Sequence, residues 1–225
     1  REIVRLLATE GVQVCAVARR LDRLEELAAE FPGKVFPLVN DVTEVETVPD
    51  AFIESTRLAG GLDMIVYASG VMATVGETEF DTGKDLSMIR ANLDGMVAWL
   101  NEAATRMQNT KHGRLVCIGS VAGDRGRYGQ PVYNACKAFQ ATYMEALRNR
   151  IARYGVKVVT VKPGPTSTEM TAHLPQKGMM DAKVAAEKII RLSNRTGEHY
   201  LKFSHRVIFA IIRHFPSWVF RRLKV

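Results

Sequence analysis

GRLVCIGS, residues 113–120, and VKVVTVKPG, residues 156–164, are two short apolar runs rich in Val, Leu and Ile, each ending in a turn. Between them, residues 132–154 carry an amphipathic helical pattern. Two strands joined by such a helix form a right-handed crossover unit, and strands apolar on both faces belong in a parallel sheet covered on both sides. The same alternation extends outward from this unit. Upstream, strands are expected at 12–18, 34–39 and 62–68, with helices ending at residue 10, at 21–30 and 44–59, and one or two over 81–107. Downstream come a helix at 181–193 and a last short strand at 199–203. The pattern specifies a doubly wound parallel α/β domain of three layers, αβα.

Length and composition agree with this reading. At 225 residues, 47% of them hydrophobic, the chain can bury a core of its own, and it has neither the composition of a disordered chain nor that of a polytopic membrane protein. Cys15, Cys117 and Cys136 are too scattered for a disulfide framework or a metal clip, so no metal site and a reducing, cytoplasm-facing compartment are expected. The net charge of +7 suggests nucleic acid until it is resolved by position. Residues 1–198 carry 25 basic and 24 acidic side chains, whereas 199–225 carry six basic and none acidic. The excess belongs to a tail, so the chain divides into a domain at 1–204 and a basic amphipathic segment at 205–225, and no nucleic-acid partner is expected.

Folds of this kind bind ligands beyond the C-terminal ends of their strands. Those positions hold Arg19 and Arg20, Asn40 and Asp41, Ser69 and Gly70, Ser120, and Pro163 with Gly164. Tyr133 and Lys137 follow Ser120, four residues apart on one helix face. A phenol of ordinary pKa near ~10 becomes a neutral-pH acid or base only when about 4 kcal/mol of preferential stabilisation lowers it by roughly 3 units. An ammonium one turn away has the right sign for that. A serine hydroxyl at a strand end can donate to an oxygen that gains negative charge.

In order and spacing these pieces resemble the short-chain dehydrogenase/reductase family. The matching strings are Asn40-Asp41-Val42, Asp63 to Gly70, Asn92 within Ala91 to Gly95, Ser120, Tyr133-Asn134-Ala135-Cys136-Lys137, and Pro163 to Thr168. The resemblance implies a Rossmann-like fold and a reaction between a ketone or secondary alcohol and a nicotinamide cofactor. It implies Tyr133 as acid-base group, Ser120 polarising the carbonyl, Lys137 tuning Tyr133 and gripping the ribose, and Asn92 ordering a proton-relaying water. Cofactor contacts fall on Arg19, Arg20, Asp41, Val42, Ala68, Gly70, Asn92, Tyr133, Lys137, Pro163, Gly164, Thr166 and Thr168. Where a carboxylate would select a free ribose hydroxyl, Arg19 stands instead, which favours NADP(H) over the alternative NAD(H). Homo-oligomers built through the helices of 81–107 and 132–154 are a further implication. Two departures stand out. The family's glycine-rich loop is absent, and the expectation is that it and a first strand lie missing upstream of Arg1, leaving a hole in the sheet. Tyr67-Ala68-Ser69-Gly70 stands where the family has N-N-A-G. The rival reading is a catalytically impaired dinucleotide-binding relative.

Residues 166–180 are polar, Met-rich and irregular, as befits a lid over the site or a plain connection. The tail reads as a helix at 205–215, broken by Pro216, with Trp218 and Phe220 among Arg221, Arg222 and Lys224. It is too short to span a bilayer. It suits an interfacial helix on anionic lipid, or a segment packed on the domain or on a second subunit. Ala122 to Arg127, Met170 to Leu174 and the tail also resemble one subgroup, the decaprenylphosphoryl-2-keto-ribose reductases. That resemblance implies a lipid-linked keto-sugar substrate and peripheral contact with the cytoplasmic face of a membrane.

Overall fold

The computed structural model describes residues 1–222. The elements run in the expected alternation: α1 (Glu2–Thr9), β1 (Val14–Ala18), α2 (Leu21–Glu30), β2 (Val35–Val39), α3 (Val48–Leu58), β3 (Met64–Tyr67), α4 (Thr82–Ile89), α5 (Gly95–Thr110), β4 (Arg114–Ile118), α6 (Pro131–Ile151), β5 (Lys157–Lys162), α7 (Ala182–Leu192), β6 (Gly197–Tyr200), α8 (Phe203–His214) and α9 (Ser217–Phe220). Every ladder is parallel. The strands form two sheets, β1-β2 and β3-β4-β5-β6, with no ladder between β1 and β3. Among the described residues no strand lies between β1 and β3 to join the two sheets.

Helices cover both faces. On one, Phe52 of α3, Met96, Trp99 and Leu100 of α5, and Met144 and Leu147 of α6 pack on Leu115, Cys117 and Val158. On the other, Ala185 and Ile189 of α7 lie on Val116, Val159 and Val161. α1 bridges the break on this face: Ile3 joins the cluster under the four-stranded sheet, while Val4 and Ala8 pack with Leu24, Leu27 and Val35 of the two-stranded one.

Several boundaries differ from the sequence reading. The last strand is Gly197–Tyr200, because Val159–Lys162 of β5 pair in register with those four residues. Lys202 is still extended, and Phe203 opens α8 instead of ending a strand. The helix expected at 44–59 starts with a 3₁₀ turn at Val45–Thr47 before α3. The pattern over 81–107 divides at a π-helical turn, Arg90–Asp94. Asp81 and Asp181 cap α4 and α7, Asp81 accepting from Lys84 N and Asp181 from Lys183 N and Val184 N.

The tail resolves one of its alternatives. His205, Phe209, Ile212, Val219 and Phe220 turn inward, with Phe209 stacked on Tyr200 and the Arg125 guanidinium over the Phe220 ring. Val207, Ile208, Ile211 and Trp218 stay exposed. One side of the segment therefore packs on the domain's own flank, and the other faces outward. Leu223, Lys224 and Val225 lie outside the described residues, as does any role of Lys224 in the tail's charge. No helix among the described residues is long and apolar enough to cross a membrane.

Candidate active site

The C-terminal ends of β4 and β5 bring the central residues together. Ser120 follows β4 in extended conformation, and its Oγ accepts from Ala122 N at 3.0 Å, starting the 3₁₀ turn Val121–Asp124. That turn lies directly on α6: a Cβ on Gly123 would stand 2.5 Å from the Lys137 carbonyl carbon and 2.6 Å from its oxygen. Only a glycine allows this approach, which sets Ser120 beside Tyr133. The Pro163 carbonyl accepts from Val121 N at 3.0 Å and joins the loop after β5 to the loop after β4.

Tyr133 and Lys137 lie one turn apart on α6, with Lys137 Nζ 5.7 Å from the Tyr133 ring centroid. Lys137 is buried and donates to Ile118 O at 3.2 Å and to Gln140 Oε1 at 2.9 Å. Asn92 sits fully buried in the π turn, a helix irregularity frequent at functional sites. Its Nδ2 donates to Met88 O and Val71 O, both at 2.9 Å, and its Oδ1 accepts from Val71 N at 3.3 Å. The side chain thus takes up a carbonyl of the preceding turn and pins the loop after β3. Gly70 lies against this group; a Cβ there would stand 2.7 Å from Asn92 Oδ1 and 3.7 Å from Lys137 Nζ. Ala68 is exposed at the end of β3, and the neighbouring Tyr67 side chain is buried.

Burial raises the Tyr133 phenol above its ordinary range, while the Ser120 hydroxyl and the Arg127 guanidinium pull it back. Among these groups of the protein itself, burial outweighs the hydroxyl and the guanidinium together. Burial also lowers Lys137. Removing an ammonium from water disfavours its charged form, so its remaining hydrogen bonds decide how firmly it stays a cation.

The cofactor candidates form a second group at the ends of β1 and β2. Arg19, Val39, Asn40, Asp41, Glu44 and Thr47 line an open pocket of about 380 Å³. Arg19 is exposed, 3.7 Å from Asp41 Oδ2. The Asp41 carboxyl is held below its usual value first by the Thr43 N–H, which donates to Oδ1 at 2.9 Å. Asn40 is buried; its Nδ2 donates to Thr47 Oγ1 at 2.7 Å and its Oδ1 has no partner. Val42 lies against Gly95 at the start of α5. Arg20 is not part of this pocket: it pairs with Glu169 at 2.9 Å, latching the segment after β5 to the end of β1.

That segment is a clasped loop. Ser167 N donates to Met180 O at 2.9 Å and Met180 N to Pro165 O at 3.0 Å. Thr166 Oγ1 donates to Gly164 O at 3.0 Å, and Thr168 caps a short turn with Thr171. Gly164 meets α8 closely, since a Cβ on it would stand 2.1 Å from His205 Cε1. An orphaned buried acceptor beside the exposed Arg19 guanidinium at one end, and a cradle closed by Gly70, Asn92 and Lys137 at the other, fit the two ends of a dinucleotide. Among the described residues no group of His, Cys, Asp or Glu could hold a metal ion.

The family pattern described as short chain dehydrogenase matches residues 1–178. The chain belongs to the short-chain dehydrogenase family. It is an oxidoreductase of that family, and its relatives agree. An uncharacterized oxidoreductase of Myxococcus xanthus is 34% identical over 186 residues, 80% of this chain and 74% of that one. A 3-oxoacyl-[acyl-carrier-protein] reductase of Bos taurus is 30% identical over 177 residues, 79% and 75% of the two chains. The fold is that of a short chain dehydrogenase of Burkholderia cenocepacia solved in complex with NADP, with a TM-score of 0.84, 19% identity and coverage of 100% of this chain and 92% of that one.

Four residues around this short-chain dehydrogenase site were given no site role from the sequence: Gly123 and Arg127, which lie within the 122–127 string, and Gln140 and His205. Gln140 had a legible signal, a polar residue one turn beyond Lys137 on the face that carries Tyr133 and Lys137. The others depend on contacts between elements far apart in the chain.

Proposed function

We propose that this short-chain dehydrogenase interconverts a ketone and a secondary alcohol with NADP(H), with Tyr133 as general acid in the reductive direction. The observation that carries the reading is the convergence of Ser120, Tyr133 and Lys137, with Gly123 seating the Ser120 turn on the Lys137 backbone. A bound nicotinamide supplies or accepts the hydride. Gly70, Asn92, Lys137, Pro163 and Gly164 would hold its end of the cofactor, with Ala68, Thr166 and Thr168 on the rim. Asp41 and Val42 would meet the adenine. Arg19 would meet the ribose phosphate, with Arg20 reaching it only on release from Glu169. Ser120 donates to the substrate oxygen, Tyr133 delivers the proton, and the buried Lys137 charge favours phenolate once the proton has left. The NADP of the Burkholderia structure supports the cofactor choice.

Substrate and location follow from the tail. The outward face of Val207, Ile208, Ile211 and Trp218, in a segment, 205–225, with five cationic and no acidic side chains, suits an anionic lipid surface on the cytoplasmic side. With the subgroup strings at 122–127 and 170–174, this supports a lipid-linked keto-sugar as substrate. Pairing through α5 and α6 would give the family's homo-oligomer.

NADPH oxidation measured across a ketone panel tests the chemistry; turnover undiminished in Tyr133→Phe would end the assignment. Arg19→Asp should weaken NADPH binding far more than NADH binding, and equal losses would remove the NADP(H) preference. Sedimentation with anionic vesicles should depend on residues 205–225. Absence of binding, together with indifference to polyprenyl-phosphate keto-sugars, would end the lipid reading.

A further inference from the structure

A completely buried carboxamide joins two of the site's fixed groups. Gln140, one turn beyond Lys137 on α6, has no exposed surface. Its Oε1 accepts from Lys137 Nζ at 2.9 Å, and its Nε2 donates to the Asn92 main-chain carbonyl at 2.9 Å. An ammonium only donates and a carbonyl only accepts, so the two contacts together fix which way the amide points. A buried amide left without partners would cost about 1–3 kcal/mol, so an apolar side chain would serve better here unless these bonds matter. Lys137 keeps one other acceptor, Ile118 O at 3.2 Å.

We propose that Gln140 is a positioning residue of the Tyr133–Lys137 pair, holding the Lys137 ammonium charged and in place by bridging it to the Asn92 carbonyl. The inference rests on the proposed role of Tyr133.

The test is a phenolate absorbance titration of the full chain, with the Tyr133 signal isolated by subtracting the same protein carrying Tyr133→Phe. Gln140→Leu removes both bonds at similar volume. Lys137 should then be a cation less of the time, and the apparent pKa of Tyr133 should rise by about one unit, with kcat for alcohol oxidation at neutral pH down about tenfold and KM within about twofold. In a Lys137→Met background the same substitution should leave the Tyr133 titration unmoved. A Tyr133 titration unchanged in folded Gln140→Leu overturns the proposal, and so does an equal shift with and without Lys137. If Gln140→Leu does not fold, Gln140→Met, whose flexible chain fills irregular gaps, is read by the same criteria. The titration does not depend on turnover. Activity surviving Tyr133→Phe would overturn the oxidoreductase assignment of Tyr133, while the titration would still judge the Gln140–Lys137 coupling.

Discussion

Tyr133 must be protonated to give a proton to a carbonyl oxygen and ionised to take one from an alcohol. Because burial holds its phenol above the ordinary value, reduction should run undiminished through neutral pH and fall only as pH rises through the Tyr133 pKa. Oxidation should rise over the same interval. Ser120 is one of the groups pulling that pKa down, so Ser120→Ala should move both limbs to higher pH. It should also lower kcat about 10²- to 10³-fold by removing the donor to the substrate oxygen. Rate profiles in both directions check this; limbs that stay in place would show that Ser120 does not touch the phenol. At this scale the sequence was most readable where chemistry needs a rare residue type at a set spacing, as with Tyr133, Lys137 and Ser120. It was least readable where a common residue matters through its neighbours. Arg127 sits in a loop string, and only the folded chain brings its charge to Tyr133.

The regular elements were legible because Val- and Ile-rich runs and helical periodicity are local signals, and each expected strand and helix exists with ends moved by a few residues. What periodicity cannot report is a change of helix type. The π turn at Arg90–Asp94 depends on Asn92 bonding to Met88 O and to Val71, a residue 21 positions away. The end of β6 depends likewise on its register with β5. Gly123 is the element-scale counterpart, because it lets a 3₁₀ turn rest on the backbone of α6. Gly123→Ala would place a methyl within 2.5 Å of backbone that cannot swing aside. The turn must then lift, carrying Ser120 with it. A loss of about 1–3 kcal/mol in urea unfolding is expected. A displacement of about 1 Å at the serine can cost kcat about 10²-fold. Wild-type stability together with wild-type kcat would mean that the turn has slack the structure does not show.

At the scale of the whole molecule, the site and the tail are held by one ion cluster at the edge of the four-stranded sheet. Asp124, at the end of the Ser120 turn, accepts from Lys162 Nζ of β5 at 2.7 Å and from the Tyr200 hydroxyl of β6 at 3.1 Å, and it pairs with Arg213 of α8. Glu198 completes the set, 2.8 Å from Lys162 and 3.1 Å from Arg213. The charges were visible in the sequence, but 89 residues separate Asp124 from Arg213, and only the crossover topology brings them together. The Lys162 and Asp124 side chains are 1% and 0% exposed, so breaking their pair leaves a buried cation short of a partner. Asp124→Ala should therefore cost about 3–5 kcal/mol, whereas Arg213→Ala, which removes a 41%-exposed side chain, should cost no more than about 1 kcal/mol. The two variants should nevertheless share a phenotype. Each removes the link from Asp124 to α8, leaving that helix its aromatic packing and the Arg125 bonds to Ile212 O and Arg213 O at 3.1 and 3.0 Å. Limited proteolysis should cut near residues 201–206 faster in both, while urea unfolding separates them by several kcal/mol. Equal unfolding midpoints would show that the buried pair contributes no more than the exposed arginine. Unchanged cleavage would show that the apolar side of α8 holds the tail without the cluster.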